Sequence, residues 1–269
     1  MGRPAQQHHD VTFSLAMSGA GPAEIALDVT GLRKAFGGIH AVDGVSIRVP
    51  AGQRHAIIGP NGAGKTTLFG CLTGALRASG GRIALFGRDV TNLAEHRRAA
   101  MGVGRTYQIT NVFPALTVLE NVLLALNGRS PRRWVMHRPV ERYADAREQS
   151  MTALERIGLG GRSHVPARLL SYGERRQLEL ALALVGQPRV LLLDEPAAGL
   201  APAERVRVAE TIAAIDRGVT VVLIEHDMRI ALGLADHVTV LHRGRVIVEG
   251  APAAVQSDAQ VREVYLGQV

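Results

Sequence analysis

The chain has 269 residues, 46% of them hydrophobic, and a formal net charge of +7 that comes almost wholly from arginine, because Lys34 and Lys65 are its only lysines. That is enough material for a substantial core, but no run of eighteen apolar residues that would span a bilayer, and the single cysteine, Cys71, excludes a disulfide framework or a cysteine metal cluster. The basic balance admits nucleotide, nucleic acid or anionic lipid as partner without choosing between them.

Residues 1–23 are small, polar and aperiodic, with His8-His9 and Asp10 interrupting any apolar region, so a mobile tail and a cytoplasmic location are expected rather than a secretory signal. Ile25 to Val29 and Val45 to Val49 then alternate like half-exposed strands, with turn signals at Gly37-Gly38 and Asp43-Gly44, which predicts a small antiparallel sheet. Phe36, beside the first of these turns, either packs there or offers a ring face to an adenine base. His55 to Ile58 is a short strand-like run, and Leu68 and Leu72, four apart, begin a helical pattern.

Between that strand and helix lies Gly59-Pro60-Asn61-Gly62-Ala63-Gly64-Lys65-Thr66-Thr67, a complete G-x-x-x-x-G-K-[ST] phosphate loop. Polyphosphate must be held by backbone with no bulky side chain intervening. Gly59, Gly62 and Gly64 let the main chain curl with N–H groups inward, and the helix beginning near Lys65 adds its positive end. Lys65 reaches the terminal phosphates and the Thr66 hydroxyl is placed for Mg²⁺. Further strands are predicted at Arg82 to Phe86 and at Gly102 to Tyr107, the latter ending at Gln108.

From 109 to 169 helical periods replace strands. Leu116, Leu119, Val122, Leu123 and Leu126 define one helix, and Tyr143, Arg147, Met151, Leu154 and Ile157 a second. The loop between them, Gly128 to Pro139, carries Arg129, Arg132, Arg133, Arg138 and Trp134, and is either a solvated loop or a contact for lipid headgroups or a membrane partner. The remaining chain returns to alternating strands and helices. Val190 to Leu193 and Val219 to Ile224 are apolar throughout, as parallel strands covered on both faces are, with a helix over Pro202 to Asp216 between them and a hairpin from Val238 to Val248 after them.

Asp194-Glu195 closes the first of those buried runs and brings two carboxylates to the edge of the sheet where ligands bind, one suited to Mg²⁺ and the other to a water. His226 ends the second run at the same edge, within reach of a terminal phosphate. Ser171 and Glu174 form an S-x-x-E capping box, while Gly173 leaves the first helical turn bare enough to meet an anion; the residues alone leave both readings open.

In this order the phosphate loop, Gln108, Leu170 to Glu174, Asp194-Glu195 and His226 resemble an ATP-binding cassette ATPase over nearly the whole chain from Ile25. The stretches Ser171-Tyr172-Gly173, Glu195 to Leu200, Ile224 to Met228 and Tyr265-Leu266-Gly267 are similar to the ATPase subunits of branched-chain amino-acid uptake systems and their relatives for amides or urea. The resemblance implies an α/β phosphate-loop fold: a parallel-sheet core formed by 24–108 and 170–269, an antiparallel β subdomain, and an inserted helical subdomain at 109–169. It implies ATP and Mg²⁺ as ligands. Phe36 would stack on adenine, Gly59 to Thr67 would hold the phosphates, and Thr66, Gln108 and Asp194 would serve the metal. Glu195 would be the base, Gln108 would sense metal and water, and His226 would touch the γ-phosphate, while Ser171 and Gly173 would bind the γ-phosphate held by the opposite subunit of a homodimer or heterodimer. The implied partners are membrane permease subunits and, indirectly, a solute-binding protein, with no nucleic acid, on the inner face of the membrane. A phosphoryl-transfer kinase or a non-transport cassette would share the loop, but the kinase needs neither Ser171-Tyr172-Gly173 nor His226, and the soluble factors generally carry two cassettes or coiled-coil insertions. Two residues depart from the family pattern. Glu174 replaces the usual Gln, and Ala201, a poor N-cap before Pro202, stands where Asp or Asn is usual.

Overall fold

The structure, a computed structural model, describes residues 24–106, 112–129 and 141–266; Gln108, Trp134, Arg132, Arg133, Arg138 and the 1–23 segment lie outside them. Among the described residues two sheets form. Strands β1 (Ile25–Phe36) and β2 (Ile39–Pro50) make a long hairpin about the Gly37-Gly38 turn, and β4 (Gly80–Leu85) and β5 (Arg88–Asp89) extend it in the antiparallel order β2-β1-β4-β5. The second predicted turn is not one. Asp43 and Gly44 lie inside β2, because the chain takes up the irregularity as register shifts around Leu32 and Arg33 and Gly44 adopts φ 74°.

The second sheet runs β10-β9-β3-β8-β7-β6, built from β3 (Arg54–Ile58), β6 (Val103–Arg105), β7 (Val190–Asp194), β8 (Thr220–Ile224), β9 (His237–His242) and β10 (Arg245–Gly250). All neighbours are parallel except the β9/β10 hairpin at one edge. The apolar runs of β3, β7 and β8 are split by strand alternation between two cores. Ile57, Leu192, Val222 and Ile224 pack toward the antiparallel sheet and helix α1 (Lys65–Thr73), with Leu27, Val29, Leu68, Leu72 and Ile83. Ala56, Ile58, Leu191, Leu193, Val221 and Leu223 face the other way. There they meet Val208 and Ile212 of α6 (Pro202–Ala213), Ala231 of α7 (Met228–Leu234), Val255 of α8 (Pro252–Ser257) and Val261 of α9 (Ala259–Leu266). Burial on both faces is what demands an unbroken hydrophobic strand.

A third core is helical. Val118, Leu119 and Val122 of α3 (Val118–Arg129) and Leu154 of α4 (Glu141–Arg156) pack on Leu178 and Ala181 of α5 (Tyr172–Leu184). Short 3-10 turns at Gly160–Arg162 and Ala167–Leu169 lead into α5. A polar helix, α2 (Glu95–Ala100), precedes β6 and was not evident from periodicity. Among the described residues no helix is long and apolar enough to cross a membrane.

Candidate active site

The phosphate loop leaves the C-terminal end of β3, the strand flanked on both sides by β8 and β9. Its shape depends on missing side chains: a Cβ on Gly59 (φ 155°) would overlap the Leu241 carbonyl oxygen, and one on Gly64 (φ 99°) the Ala41 carbonyl oxygen. The loop is tied from behind by the Gly244 N–H, which donates to Ala63 O at 2.9 Å. Gly64 caps α1 in left-handed conformation, and neither a side-chain cap nor an acidic residue serves the first turn. The positive end of α1 therefore stays open to an anion. Asn61, Gly62 and Thr66 are exposed there, whereas Pro60 and Ala63 are buried.

Lys65 is buried and folds back on its own loop, its Nζ donating to Gly59 O at 2.6 Å and Pro60 O at 3.0 Å. Burial pulls its pKa below the ordinary lysine value, against the opposing pull of Glu195 and Asp194. Two carbonyl oxygens are modest partners for a buried ammonium, and phosphate oxygens would satisfy it better. Asp194 ends β7 with its backbone N–H donating to Thr106 Oγ1 at 3.3 Å. Its Oδ1 is buried without a hydrogen-bond partner among the described residues, and burial, with the neighbouring Glu195 charge, pushes its carboxyl up to about 6. A carboxylate held in that condition suits a cation.

Glu195 follows in the left-handed region at φ 46°, and its backbone N–H donates to Ile224 O at 2.9 Å. For a side-chain-bearing residue that conformation is strained and is held only by its surroundings. His226, half exposed after β8, brings Nδ1 to 3.8 Å from Glu195 Oε2. The structure thus gathers Lys65, Asp194, Glu195 and His226 at one sheet edge.

Among the described residues, Ser171, Gly173 and Phe36 make no hydrogen bond or ion pair with that group. Ser171 Oγ accepts from the Glu174 N–H at 3.1 Å and Glu174 Oε2 from the Ser171 N–H at 2.8 Å, so the capping box is formed, and Arg162 pairs with Glu174 at 2.9 Å. Gly173 is buried, and a Cβ there would run into the Glu204 carboxylate of α6. At Ala201 no side chain caps α6; instead Glu204 Oε2 accepts from the Ala201 N–H at 3.1 Å. The Phe36 ring is 48% exposed beside a Lys34 ammonium 4.7 Å from its centroid, so an open face remains for a flat ligand.

Sequence reasoning missed several supports. Arg98, 1% exposed, donates to Cys71 O and Leu72 O at 2.7 Å, Leu93 O at 2.9 Å and Thr91 O at 3.1 Å, and so seats a cation at the negative end of α1. It sits in a short polar helix, where nothing in the pattern marks a buried arginine. The Tyr265 hydroxyl of α9 is buried beside the Gly59 N–H of the phosphate loop, and burial, which outweighs the effect of that N–H, pushes it up to about 12.

A glycine-framed phosphate loop on a central parallel strand, with an acid pair on the next strand but one, is the geometry of a phosphate-loop nucleoside triphosphatase. Within that class a family model described as "ABC transporter" matches residues 42–198, more than half of the chain, and a second described as "Branched-chain amino acid ATP-binding cassette transporter" matches 245–269. The high-affinity branched-chain amino acid transport ATP-binding proteins BraF of Pseudomonas aeruginosa and LivG of Escherichia coli K12 are each 39% identical over 249 residues, 90% of this chain and 98% of theirs. The lipopolysaccharide export system ATP-binding protein LptB of Acidithiobacillus ferridurans is 38% identical over 83% of this chain and 89% of its own. Among solved structures, the ADP conformation of MJ1267, an ATP-binding cassette of an ABC transporter, superposes with a TM-score of 0.80 at 33% identity, covering 90% of this chain and 99% of that one. The chain belongs to the ATP-binding cassette transporter family.

Proposed function

We propose that this chain is the ATP-hydrolysing subunit of a membrane importer for branched-chain amino acids. The convergence of Lys65, Asp194, Glu195 and His226 at the mouth of an open helix end is the observation that carries the reading. The loop from Gly59 to Thr67 holds the phosphates, Lys65 exchanges its two carbonyl partners for phosphate oxygens, and Phe36 stacks on the base. Thr66, Asp194 and Gln108 would hold Mg²⁺, which supplies charge to neutralise the phosphate oxygens; the orphaned Asp194 Oδ1 supports the fit. Glu195 accepts a proton from the attacking water, and His226, beside it, donates to the γ-phosphate. Gln108 reports on metal and water.

Ser171 and Gly173 are assigned to the nucleotide of a partner ATPase, in a homodimer or heterodimer; the polar contacts of Ser171 are local, and Gly173 leaves the turn without a side chain. The helical segment 109–169 is assigned to the permease, 24–108 and 170–269 to the nucleotide-binding core, and 1–23 to a tail. The subunit then works on the cytoplasmic face, peripheral to the membrane, with a solute-binding protein acting on the far side and no nucleic acid involved. The match at 245–269 supports branched-chain amino acids. A relative named for lipopolysaccharide export at nearly equal identity supports a second reading, in which the solute is another compound; amides and urea are the alternatives that the sequence resemblance offers. Disruption of the coding sequence should abolish high-affinity uptake of leucine, isoleucine and valine while the purified chain hydrolyses ATP. Unaltered uptake of all three would overturn the solute, and absence of hydrolysis by the chain with its permease would overturn the ATPase itself.

A further inference from the structure

Glu225 is a carboxylic acid with 0% exposure that the reaction outlined above does not use. A buried carboxylate is costly unless its oxygens are satisfied, and these are satisfied by backbone N–H groups from two different loops. Oε1 accepts from the Ala197 N–H at 3.1 Å, inside the turn that follows Glu195, and Oε2 accepts from the His226 N–H at 3.2 Å. His226 Nδ1 lies 4.0 Å from that second oxygen and 3.8 Å from Glu195 Oε2. The turn is short and braced: Ala198 N–H donates to Glu195 O at 3.1 Å, Pro196 and Ala197 are buried, and the Tyr172 hydroxyl donates to Ala198 O at 3.3 Å from the far side. An apolar residue would fill the same space at lower cost in desolvation, but would leave both N–H groups without acceptors.

We propose that Glu225 is a positioning residue that staples the Glu195 turn to the His226 turn, and so fixes the distance between the base and the phosphate contact. The requirement is for two acceptor oxygens. A glutamine offers one, and its amide would face one of the two N–H groups donor to donor. The staple also gives the strained Glu195 backbone a reason to persist, since the turn carrying it is held on one side by Glu225 and on the other by Tyr172.

The inference rests on the ATPase reading, and its test keeps the two apart. In the full-length protein Glu225→Gln should lower kcat by about 10- to 100-fold while the Kd for ATP moves less than about threefold, because misplacement of the base harms the chemical step and not the phosphate loop. In a Glu195→Gln background the same change should cost less than about twofold, since a misplaced base that is already absent cannot be lost again; a merely structural role predicts equal losses in both backgrounds. Should Glu225→Gln fail to fold, amide exchange in the wild-type protein decides: the Ala197 and His226 N–H groups should be protected, and rapid exchange at both would overturn the staple. Wild-type protein without turnover would defeat the ATPase reading. Active wild type with an equally active Glu225→Gln, or equal losses in both backgrounds, would defeat the staple alone.

Discussion

The first turn of α1 is closed by no side chain among the described residues, whereas the first turn of α5 is closed by two. Gly64 precedes α1 and no acid lies within its first turn, while Ser171 and Glu174 cap α5 reciprocally and Glu204 presses on Gly173 from α6. Both are helix N-termini to which a phosphate role is assigned, yet their resting electrostatics are opposite. α1 waits with its partial charge exposed and a lysine on hand; α5 has already spent much of its own on carboxylates. A strong, independent phosphate site is therefore expected only at α1, with α5 contributing once a loaded partner approaches.

The largest effect that would sharpen this contrast separates the residues gathered at α1. Glu195→Gln should cut turnover by about 10²- to 10⁴-fold with ATP binding retained, while Lys65→Ala should weaken binding itself by at least about tenfold; nucleotide fluorescence titration beside steady-state hydrolysis distinguishes them. Equal loss of binding in both would erase the division of roles. At α5 the decisive variant is Gly173→Ala, whose methyl group would meet the Glu204 carboxylate. ATP-dependent dimerisation, scored by light scattering in a Glu195→Gln background, should weaken by about tenfold. Adding Glu204→Ala restores it if Glu204 is the obstacle; continued failure means that the bare backbone itself is needed by the partner's phosphate.

Smaller effects test the cap. Ser171→Ala should destabilise the chain by about 0.5–2 kcal/mol, read in denaturant unfolding, with nucleotide affinity of the isolated chain unchanged. The acid limb should move least. Burial raises the Glu174 pKa, but the Ser171 N–H and the Arg162 guanidinium outweigh it and hold the group below its ordinary value of 4.5. An acid held low in the folded state contributes stability above its unfolded pKa and loses it as pH falls through the folded one. Glu174→Gln keeps the cap geometry and should flatten the thermal midpoint against pH below about 4.5 by a degree or two.

Much of this architecture was legible from residues alone, for a local reason. Val190 to Leu193 and Val219 to Ile224 announce strands covered on both faces, and the spacing from Gly59 to Thr66 admits few other structures. What escaped was set by distant partners. Asp43-Gly44 reads as a turn until Arg245 and the Gly244 carbonyl, brought in by the β9/β10 hairpin, hold Asp43 in an extended strand at 2.9 and 2.8 Å. Arg98 and Glu225 look like solvated charges because their partners are backbone groups, and no sequence pattern encodes which carbonyl or N–H will lie nearby. Ser171 to Glu174 forms the cap that its S-x-x-E spacing predicts, while Tyr172 and Gly173 in the same turn have no capping role.

The sheet order has a consequence for the ribosome. The strand that carries the phosphate loop is finished early, yet both strands that flank it, and the Gly244 N–H that ties the loop, come from the last fifth of the chain. At the usual pace of synthesis the emerging β3 waits on the order of ten to forty seconds with both edges unpaired. Throughout that interval ATP has no finished loop to hold, so it cannot act as a ligand that rescues the nascent subunit from unfolding. Two bare edges on an apolar strand also invite pairing with other chains. This molecule becomes able to use its own fuel only once β8, β9 and the Gly244 tie have been made.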